Sequence, residues 1–336
     1  MLAAGNTPDF RTIADFRKTH LATLSGFFEQ VLRLARELGA PRMGRVAIDG
    51  SKVKANASKH KAMSYDRMRD KQQQLRDEVT QLLAQAEAAD AAEDAEYGAD
   101  RRGDDLPAEL QRRESRLTRI REAKRSLEAR AKEEAAAAGR PTDSAKPDPK
   151  AQYNFTDPES RIMKGPDGFV QAYNVQVAVD ELQLIVGQSV TQETNDKKQL
   201  MPMIATIAQQ SGDTPTQLLA DAGYCSEANL TAIADTTIDA YISTRKQKHG
   251  ERPGPCPHGP LPPTATIVDR MSRKLHTKAG AAVYAARKGI VEPVIGQIKQ
   301  ARGFRQFLLR GFEKVQGEWS LVCTTHNILK LYRLCV

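Results

Sequence analysis

The sequence is poor in cysteine, and its cysteines do not cluster. Four cysteines occur in 336 residues, dispersed and without a Cys-x-x-Cys pair. This pattern excludes a disulfide framework and is typical of a reducing compartment. Cys256-Pro257-His258 is the nearest approach to a metal-binding cluster. Because no second Cys/His pair accompanies it, we interpret it as a loop.

The chain also lacks a secretory signal and any long apolar run. Residues 1–9 contain neither a basic segment nor an apolar segment of the kind that signal peptides carry, and no stretch approaches the length of a membrane span. We therefore predict a cytoplasmic protein with no membrane partner. The formal charge of +8 and the isoelectric point near 9.3 favour an anionic partner, of which nucleic acid is the first candidate.

Two apolar runs that end in aspartate provide the first candidate site. The run from Val46 ends at Asp49, and Gly50 is expected to let the chain leave a buried strand there without a Cβ clash. Alone, such an Asp-Gly pair more often marks a simple turn. The segment Leu218–Gly223 repeats the arrangement around Asp221, and two such strands would place two carboxylates side by side.

The order of elements predicts a mixed α/β sheet. Amphipathic helices are expected within residues 9–39, and alternation predicts strands at 174–179 and 184–190 that form a hairpin. A helix to Gly212, the Asp221 strand, a helix from Ser226 and a strand at 239–243 follow, with the Asp49 and Asp221 strands as neighbours. Asn195 or Asp196 is expected to cap the first of these helices, which explains Asp196 better than a ligand role does.

A long segment after the first strand is nearly free of glycine and proline. Its apolar residues are spaced by sevens, fours and threes on both sides of a break between Gly98 and Pro107, which predicts an antiparallel helical hairpin. We expect a structural or partner-binding role for it, with no chemistry. Residues 139–150 have the composition of a linker.

The C-terminal part is rich in basic residues. A helix across residues 284–299 carries Glu292 among them, with Lys299 two turns further on the same face. The alternative for Glu292 is a surface ion pair with Lys288, four residues earlier. The last helix is expected to cover the core through Val315, Trp319, Val322, Ile328 and Leu329. We interpret His326 within it as a packed or capping histidine and not as a ligand.

These motifs together resemble the DDE transposases of bacterial insertion sequences, in the branch whose third acidic residue lies in a Tyr-x-x-Arg…Glu-x6-Lys helix. The resemblance runs from about Pro8 to Leu334. Its strongest parts are Val46–Lys52, Leu219–Tyr224 and Val291–Phe304. It implies an α/β fold, an RNase H-like mixed sheet flanked by helices, with a helical-hairpin (coiled-coil) insertion between the first and second core strands.

The same resemblance implies a catalytic site and its ligands. Asp49, Asp221 and Glu292 would be catalytic and would bind Mg²⁺, with Mn²⁺ as an alternative. The residues that would contact DNA are Tyr284, Arg287, Lys288, Lys299 and Arg302. Here Glu292 lies one residue further from Arg287 than the family pattern has it, and Lys288 occupies the expected spacing.

The expected organisation follows from this resemblance. Residues 1–42 would be a truncated N-terminal helical DNA-binding region, 43–58 the first core strand, 59–150 the hairpin insertion with its linker, and 151–336 the rest of the catalytic core with basic C-terminal helices. The partners would be terminal inverted repeats and target DNA, bound by a nucleoid-associated homodimer.

Two functions in different classes remain open at this point. The first is a transposase that catalyses Mg²⁺-dependent strand cleavage and strand transfer. The second is a truncated, inactive remnant that binds DNA. A coiled-coil scaffold whose acidic motifs are accidental would require three ordered coincidences.

Overall fold

The structure is a computed structural model that describes residues 7–97, 108–165, 168–245, 256 and 259–335. The α-helices are α1 (Phe10–Thr19), α2 (Leu21–Glu37), α3 (Tyr65–Tyr97), α4 (Ala108–Ala137), α5 (Leu200–Ser211), α6 (Glu227–Ala234), α7 (Ile267–His276), α8 (Lys278–Gly296) and α9 (Phe312–Cys335). The strands are β1 (Arg45–Lys54), β2 (Ala62–Ser64), β3 (Gln152–Asn154), β4 (Arg161–Gly165), β5 (Gly168–Asp180), β6 (Ile185–Thr191), β7 (Gln217–Ala220) and β8 (Asp239–Ile242). A 3₁₀ turn at Lys59–Lys61 and a π-helical turn at Gln297–Ala301 complete the description.

The chain divides into two compact units. One unit comprises the residues up to Ala57 together with Glu159–Val336, and the other comprises Ser58–Pro158. We call the first the sheet unit and the second the helical unit.

A mixed sheet of six strands forms the centre of the sheet unit. Its order is β4-β5-β1-β7-β8, and β6 also pairs with β5. β1 is antiparallel to β5 and parallel to β7, and β7 is parallel to β8. This is the mixed α/β architecture that was predicted, including the neighbouring Asp49 and Asp221 strands.

Apolar side chains cover both faces of this sheet, because its central strands alternate between two buried layers. On one face Ala47 and Val53 pack with residues of α2, α8 and α9, among them Val291 and Trp319. On the other face Ile48 packs with α5 and α6, and α7 lies against the edge of that layer. Each face of β1 therefore meets a different set of helices.

Several local predictions are confirmed. β5 and β6 form the expected hairpin, and α6 begins directly after Ser226, which caps it. Asp9, at the start of the predicted helical region, caps α1 by accepting a hydrogen bond from Arg11 N. No pattern of residues predicts β4, a short strand that pairs with the beginning of β5.

The prediction that β1 ends at Gly50 is wrong. The strand continues to Lys54 and pairs with β5 from Val46 to Lys54 without interruption. Asp49 therefore lies within a strand and not at its end. The reason for a glycine at position 50 is found in the packing around it.

Helix α9 covers the core as predicted through Val315 and Trp319, which are buried. His326 is also buried, and its Nε2 donates to the carbonyl oxygen of Gln183. Burial lowers the pKa of His326 to about 4, so this imidazole stays neutral. The prediction is wrong for Ile328 and Leu329, which are exposed.

In the helical unit, α3 and α4 run antiparallel. Gln72 and Glu78 of α3 accept hydrogen bonds from Lys124 and Arg113 of α4, so the partner numbers fall as the α3 numbers rise. The buried seam contains Met68, Leu75, Leu117, Ile120, Ala123 and Leu127. The predicted break from Gly98 to Pro107 lies outside the described residues.

Within the described part of the chain, no helix combines the length and the apolar composition needed to cross a bilayer.

Candidate active site

Asp49 and Asp221 lie on neighbouring parallel strands. β1 and β7 pair in the register Ala47 to Leu219, and two residues further along the same register are Asp49 and Asp221. Because side chains alternate along a strand, both carboxylates point to the face that carries α8. Each carboxylate also accepts a hydrogen bond from a nearby backbone amide, Asp49 from Gly50 N at 2.9 Å and Asp221 from Gly223 N at 2.8 Å.

Arg287 of α8 connects Asp49 with the third predicted carboxylate. Its Nη1 lies 3.5 Å from Asp49 Oδ2, and its Nη2 lies 3.3 Å from Glu292 Oε1. The side chain of Arg287 is 11% exposed, whereas the side chain of Glu292 is 51% exposed. Glu292 therefore pairs with Arg287, and the alternative pairing with Lys288 is absent from the described residues. The guanidinium lies between the two carboxylates.

The pKa of Asp49 is shifted by its surroundings. Burial, with smaller contributions from the Asp221 and Asp196 carboxylates, raises the pKa of Asp49 to about 6, although Arg287 lowers it. Burial lowers the pKa of Arg287, but the neighbouring Asp49, Asp221 and Glu292 carboxylates, together with Tyr284, raise it above its ordinary value. Burial and the neighbouring carboxylates favour the neutral form of Asp49, whereas a nearby cation favours its ionised form. The guanidinium of Arg287 is this cation.

The prediction that Asp196 caps a helix is wrong. α5 begins four residues later, after Gln199, and has no side-chain cap. The Oδ1 atom of Asp196 instead accepts from Asn174 Nδ2 and Gln176 Nε2, each at 2.7 Å. It also lies 3.6 Å from Lys52 Nζ. Tyr224, fully buried, donates its hydroxyl to the Oε1 atom of Gln176 and extends this polar network inward.

Two glycines allow Asp196 to approach the aspartate motifs. A Cβ at position 50 would lie 2.3 Å from Asp196 Oδ1, and a Cβ at position 223 would lie 2.9 Å from Asp221 Oδ1 and 3.3 Å from Asp196 Oδ2. No real Cβ tolerates the first distance, so Gly50 is required for close packing and not for a turn. Asp196 thus lies at the same end of the sheet as Asp49, on the opposite face.

Lys299 lies on the π-helical turn that follows α8. Its Nζ donates to the hydroxyl of Ser51 and, at 2.8 Å, to the carbonyl oxygen of Lys52. π-turns are rare and occur often at functional sites. This one brings a lysine next to the strand of Asp49, and burial lowers the pKa of Lys299, while the Asp49 carboxylate opposes this effect.

The other residues predicted to contact DNA are Tyr284, Lys288 and Arg302, and each has its own environment. Tyr284 is partly buried and close to Arg287, and burial raises its pKa. Lys288 is exposed, so Arg287 is the residue of this pair that reaches the carboxylates. Arg302 donates to the hydroxyl and carbonyl oxygens of Thr325 in α9, at 3.0 and 3.1 Å.

The donor set has the chemistry of a site for a hard divalent cation, because carboxylate oxygens are the ligands that Mg²⁺ prefers. Within the described ranges, however, no three acidic, histidine or cysteine side chains are close enough together to hold a metal ion. The side chain of Arg287, between Asp49 and Glu292, accounts for the separation of those two carboxylates. A cation held by both would have to displace this guanidinium.

Sequence reasoning missed the network around Asp196. Its partners Lys52, Asn174 and Gln176 come from two strands that are far apart in sequence. The available signal was the alternation of β5, in which Asn174 and Gln176 are polar residues between Ala172 and Ala178 on the same face. Both are fully buried, and buried amides need hydrogen-bond partners.

A mixed sheet flanked by helices, with acidic residues on two neighbouring central strands and on a helix that covers them, is consistent with an RNase H-like transposase domain. The model of the transposase DDE domain family matches residues 141–328, which is more than half of the chain. The chain belongs to this family. The matched segment contains Asp196, Asp221 and Glu292 but begins after Asp49.

Membership in this family implies a polynucleotidyl transferase or nuclease type of enzyme that binds DNA. Neither the curated proteins nor the solved structures that were compared with the chain gave a match.

Proposed function

We propose that this protein is a transposase that cuts DNA strands at the ends of an insertion sequence and joins the freed ends to target DNA. The observation that supports this best is the placement of Asp49 and Asp221 at the same level of neighbouring strands. Arg287 contacts both Asp49 and Glu292, so the third carboxylate is one side chain away.

Asp49, Asp221 and Glu292 would hold Mg²⁺, with Mn²⁺ as the alternative. When bound, such ions activate the attacking oxygen and stabilise the charge on the leaving oxygen. The chain's own contribution is to hold the carboxylates on two adjacent strands and one helix, so that few degrees of freedom are lost on binding.

The proposed reaction has two phosphoryl-transfer steps. In the first, a water oxygen bonds to phosphorus, the bond from phosphorus to the 3′ oxygen breaks, and that oxygen takes a proton to become a 3′-hydroxyl. In the second, this 3′-hydroxyl loses its proton and bonds to a target phosphorus, and the target 3′ oxygen leaves with a proton. Both steps conserve atoms and need no oxidant or reductant.

Basic residues beside the carboxylates would bind the phosphates. Lys299 is held on β1 by Ser51 and the Lys52 carbonyl, which supports a role close to the reacting phosphate. Arg287 would be released from Asp49 and Glu292 when a metal ion neutralises them, and could then donate to a phosphate in the bidentate manner that guanidinium favours. Tyr284, Lys288 and Arg302 would contact DNA further away.

A second candidate function is DNA binding without cleavage. Its specific support is that Arg287 already forms ion pairs with two of the three carboxylates. If this arrangement persists in the presence of Mg²⁺, the protein would bind DNA through its basic residues and leave it uncut.

Neutral variants of the carboxylates test the proposal. We expect Asp49→Asn, Asp221→Asn and Glu292→Gln each to abolish cleavage of DNA that carries the element's ends in Mg²⁺, because each removes a metal ligand. Binding of the same DNA in EDTA should persist. Asp235→Asn, at an exposed residue after α6, is the matched control and should cleave normally.

The outcomes separate the two candidates. Full cleavage by any of the three carboxylate variants would contradict the assigned site. A wild-type protein that binds end DNA but neither cleaves it nor binds Mn²⁺, as followed by electron paramagnetic resonance, would favour the second candidate.

A further inference from the structure

The helical unit contains an open cavity of about 1000 Å³ that the proposed catalytic site does not use. It lies between the N-terminal half of α4 on one side and the segments around β2 and β3 on the other. Met63, Ile120 and Phe155 contribute its apolar floor. The unit therefore has a groove of the size that holds a ligand or a segment of a polymer.

Cations form the rim of this groove. Arg112, Arg116 and Arg119 lie three and four residues apart, so they follow one face of α4 in a row about 10 Å long. Lys61 faces them from the 3₁₀ turn before β2. All four side chains are exposed, and none of the residues lining the groove is acidic.

The arginines of this row differ from their neighbour Arg113 in their charge pairing. Arg113, next to the row, forms an ion pair with Glu78 at 3.0 Å. The three groove arginines have no ion pair with any residue that the structure describes. Like charges one helical turn apart destabilise a helix slightly, and an anionic partner along the row would remove this repulsion.

We propose that this groove binds the sugar-phosphate backbone of DNA. A row of guanidinium groups recognises a series of phosphates, because each guanidinium can donate two parallel hydrogen bonds to phosphate oxygens. The apolar floor suits the sugar edge of the strand. The proposal rests on the proposed function for the identity of its ligand, and it gives the helical unit a direct role in holding the DNA.

The test is a triple variant with a triple control. Arg112→Ala, Arg116→Ala and Arg119→Ala are combined in the groove variant. The control combines Arg76→Ala, Arg121→Ala and Arg125→Ala, which remove three exposed arginines of α3 and α4 outside the groove. Both variants lose the same charge and gain the same helix-forming residue, so global charge and helix stability are matched.

Binding of a fluorescent 30-base-pair duplex is measured by anisotropy in EDTA, from 50 to 300 mM salt. We expect the groove variant to bind roughly 10- to 100-fold more weakly at low salt, and its slope of log K against log salt to fall by about 2–3, since each phosphate contact contributes about 0.9. The control should change the slope by less than about 1. Lysine at the three groove positions should restore most of the slope.

The results distinguish this proposal from the proposed function, because the assay contains no metal. Equal losses in the groove variant and the control would overturn the groove while leaving cleavage untouched. A groove-dependent slope in a protein that never cuts DNA would support the groove and contradict the enzyme. Groove-dependent binding of polyglutamate, with duplex binding unchanged, would overturn the assignment to DNA.

Discussion

The proposed role of Asp49 as a metal ligand requires an ionised carboxylate, but the environment of this side chain favours the neutral form. Its pKa rises from the ordinary 3.8 to about 6, mainly through burial. In the unfolded chain the group ionises at its ordinary value, so between pH 4 and 6 the folded state binds more protons. Stability then falls as the pH rises through this window, and the cost is complete above pH 6.

The prediction is that Asp49→Asn stabilises the protein at neutral pH in EDTA. A shift of about two pKa units corresponds to roughly 1–3 kcal/mol, or a melting temperature higher by roughly 2–6 °C. Below pH 4 the variant and the wild type should melt together. Thermal melts from pH 3.5 to 8 measure this, and a variant that is less stable than wild type at pH 7.5 would contradict it.

The aspartates themselves were predictable at the residue scale, but their partners were not. Asp49 and Asp221 follow short apolar runs, and such runs predict buried strands from local sequence alone. Arg287 could not be chosen over Lys288 from spacing, because the outcome depends on which side of α8 packs against β1. Asp196 could not be separated from a helix cap, because its partners belong to other strands.

At the scale of elements, Asp196 joins three parts of the sheet unit. It contacts Lys52 of β1, and Asn174 and Gln176 of β5, and it precedes α5. Its carboxylate lies on the opposite face of β1 from Asp49. We therefore expect it to position the strands of the site and to add negative potential, without being a ligand.

Asp196→Asn tests this role. An asparagine retains an acceptor oxygen for the two amides but loses the charge, so we expect the fold to persist and the affinity for Mn²⁺ to fall roughly tenfold, as for residues that support metal ligands. Calorimetric titration of Mn²⁺ into the DNA-free protein measures the effect, with Asp235→Asn as the control. An unchanged Mn²⁺ affinity would contradict the role, and a loss as large as that of Asp49→Asn would indicate direct coordination.

The hairpin of β5 with β6 and the neighbouring positions of β1 and β7 were predictable, because each of these strands carries its own alternation or apolar run. The antiparallel pairing of β1 with β5 was not predicted. Two elements escaped for physical reasons. β4 is only five residues long, and its composition does not indicate a strand. It is held in the extended conformation by its pairing with β5. The π-turn that places Lys299 follows an interior proline, Pro293, yet nothing local distinguishes it from a continued α-helix.

At the scale of the whole molecule, the two points of the sheet unit that flank residues 58–158 in the chain lie close together. Ala55 N donates to the carbonyl oxygen of Gln171 at 2.9 Å, and the side-chain amide of Gln171 donates to Ser160 Oγ at 2.9 Å. The chain therefore departs and re-enters beside a single residue of β5. Both apolar layers of the sheet consist of residues of the sheet unit alone.

This arrangement predicts that the sheet unit folds without the helical unit. We expect a variant in which a short glycine-serine linker replaces residues 58–158 to melt cooperatively, because a short connection closes at little entropic cost and neither apolar layer is opened. Asp49→Asn should raise its melting temperature as it does in the full chain, which reports an intact acidic site. Duplex binding in EDTA should lose the same part of the salt slope as the groove variant. A shortened chain that shows no cooperative transition would contradict the independence of the sheet unit, and one that keeps the full salt slope would place the DNA-binding charges elsewhere.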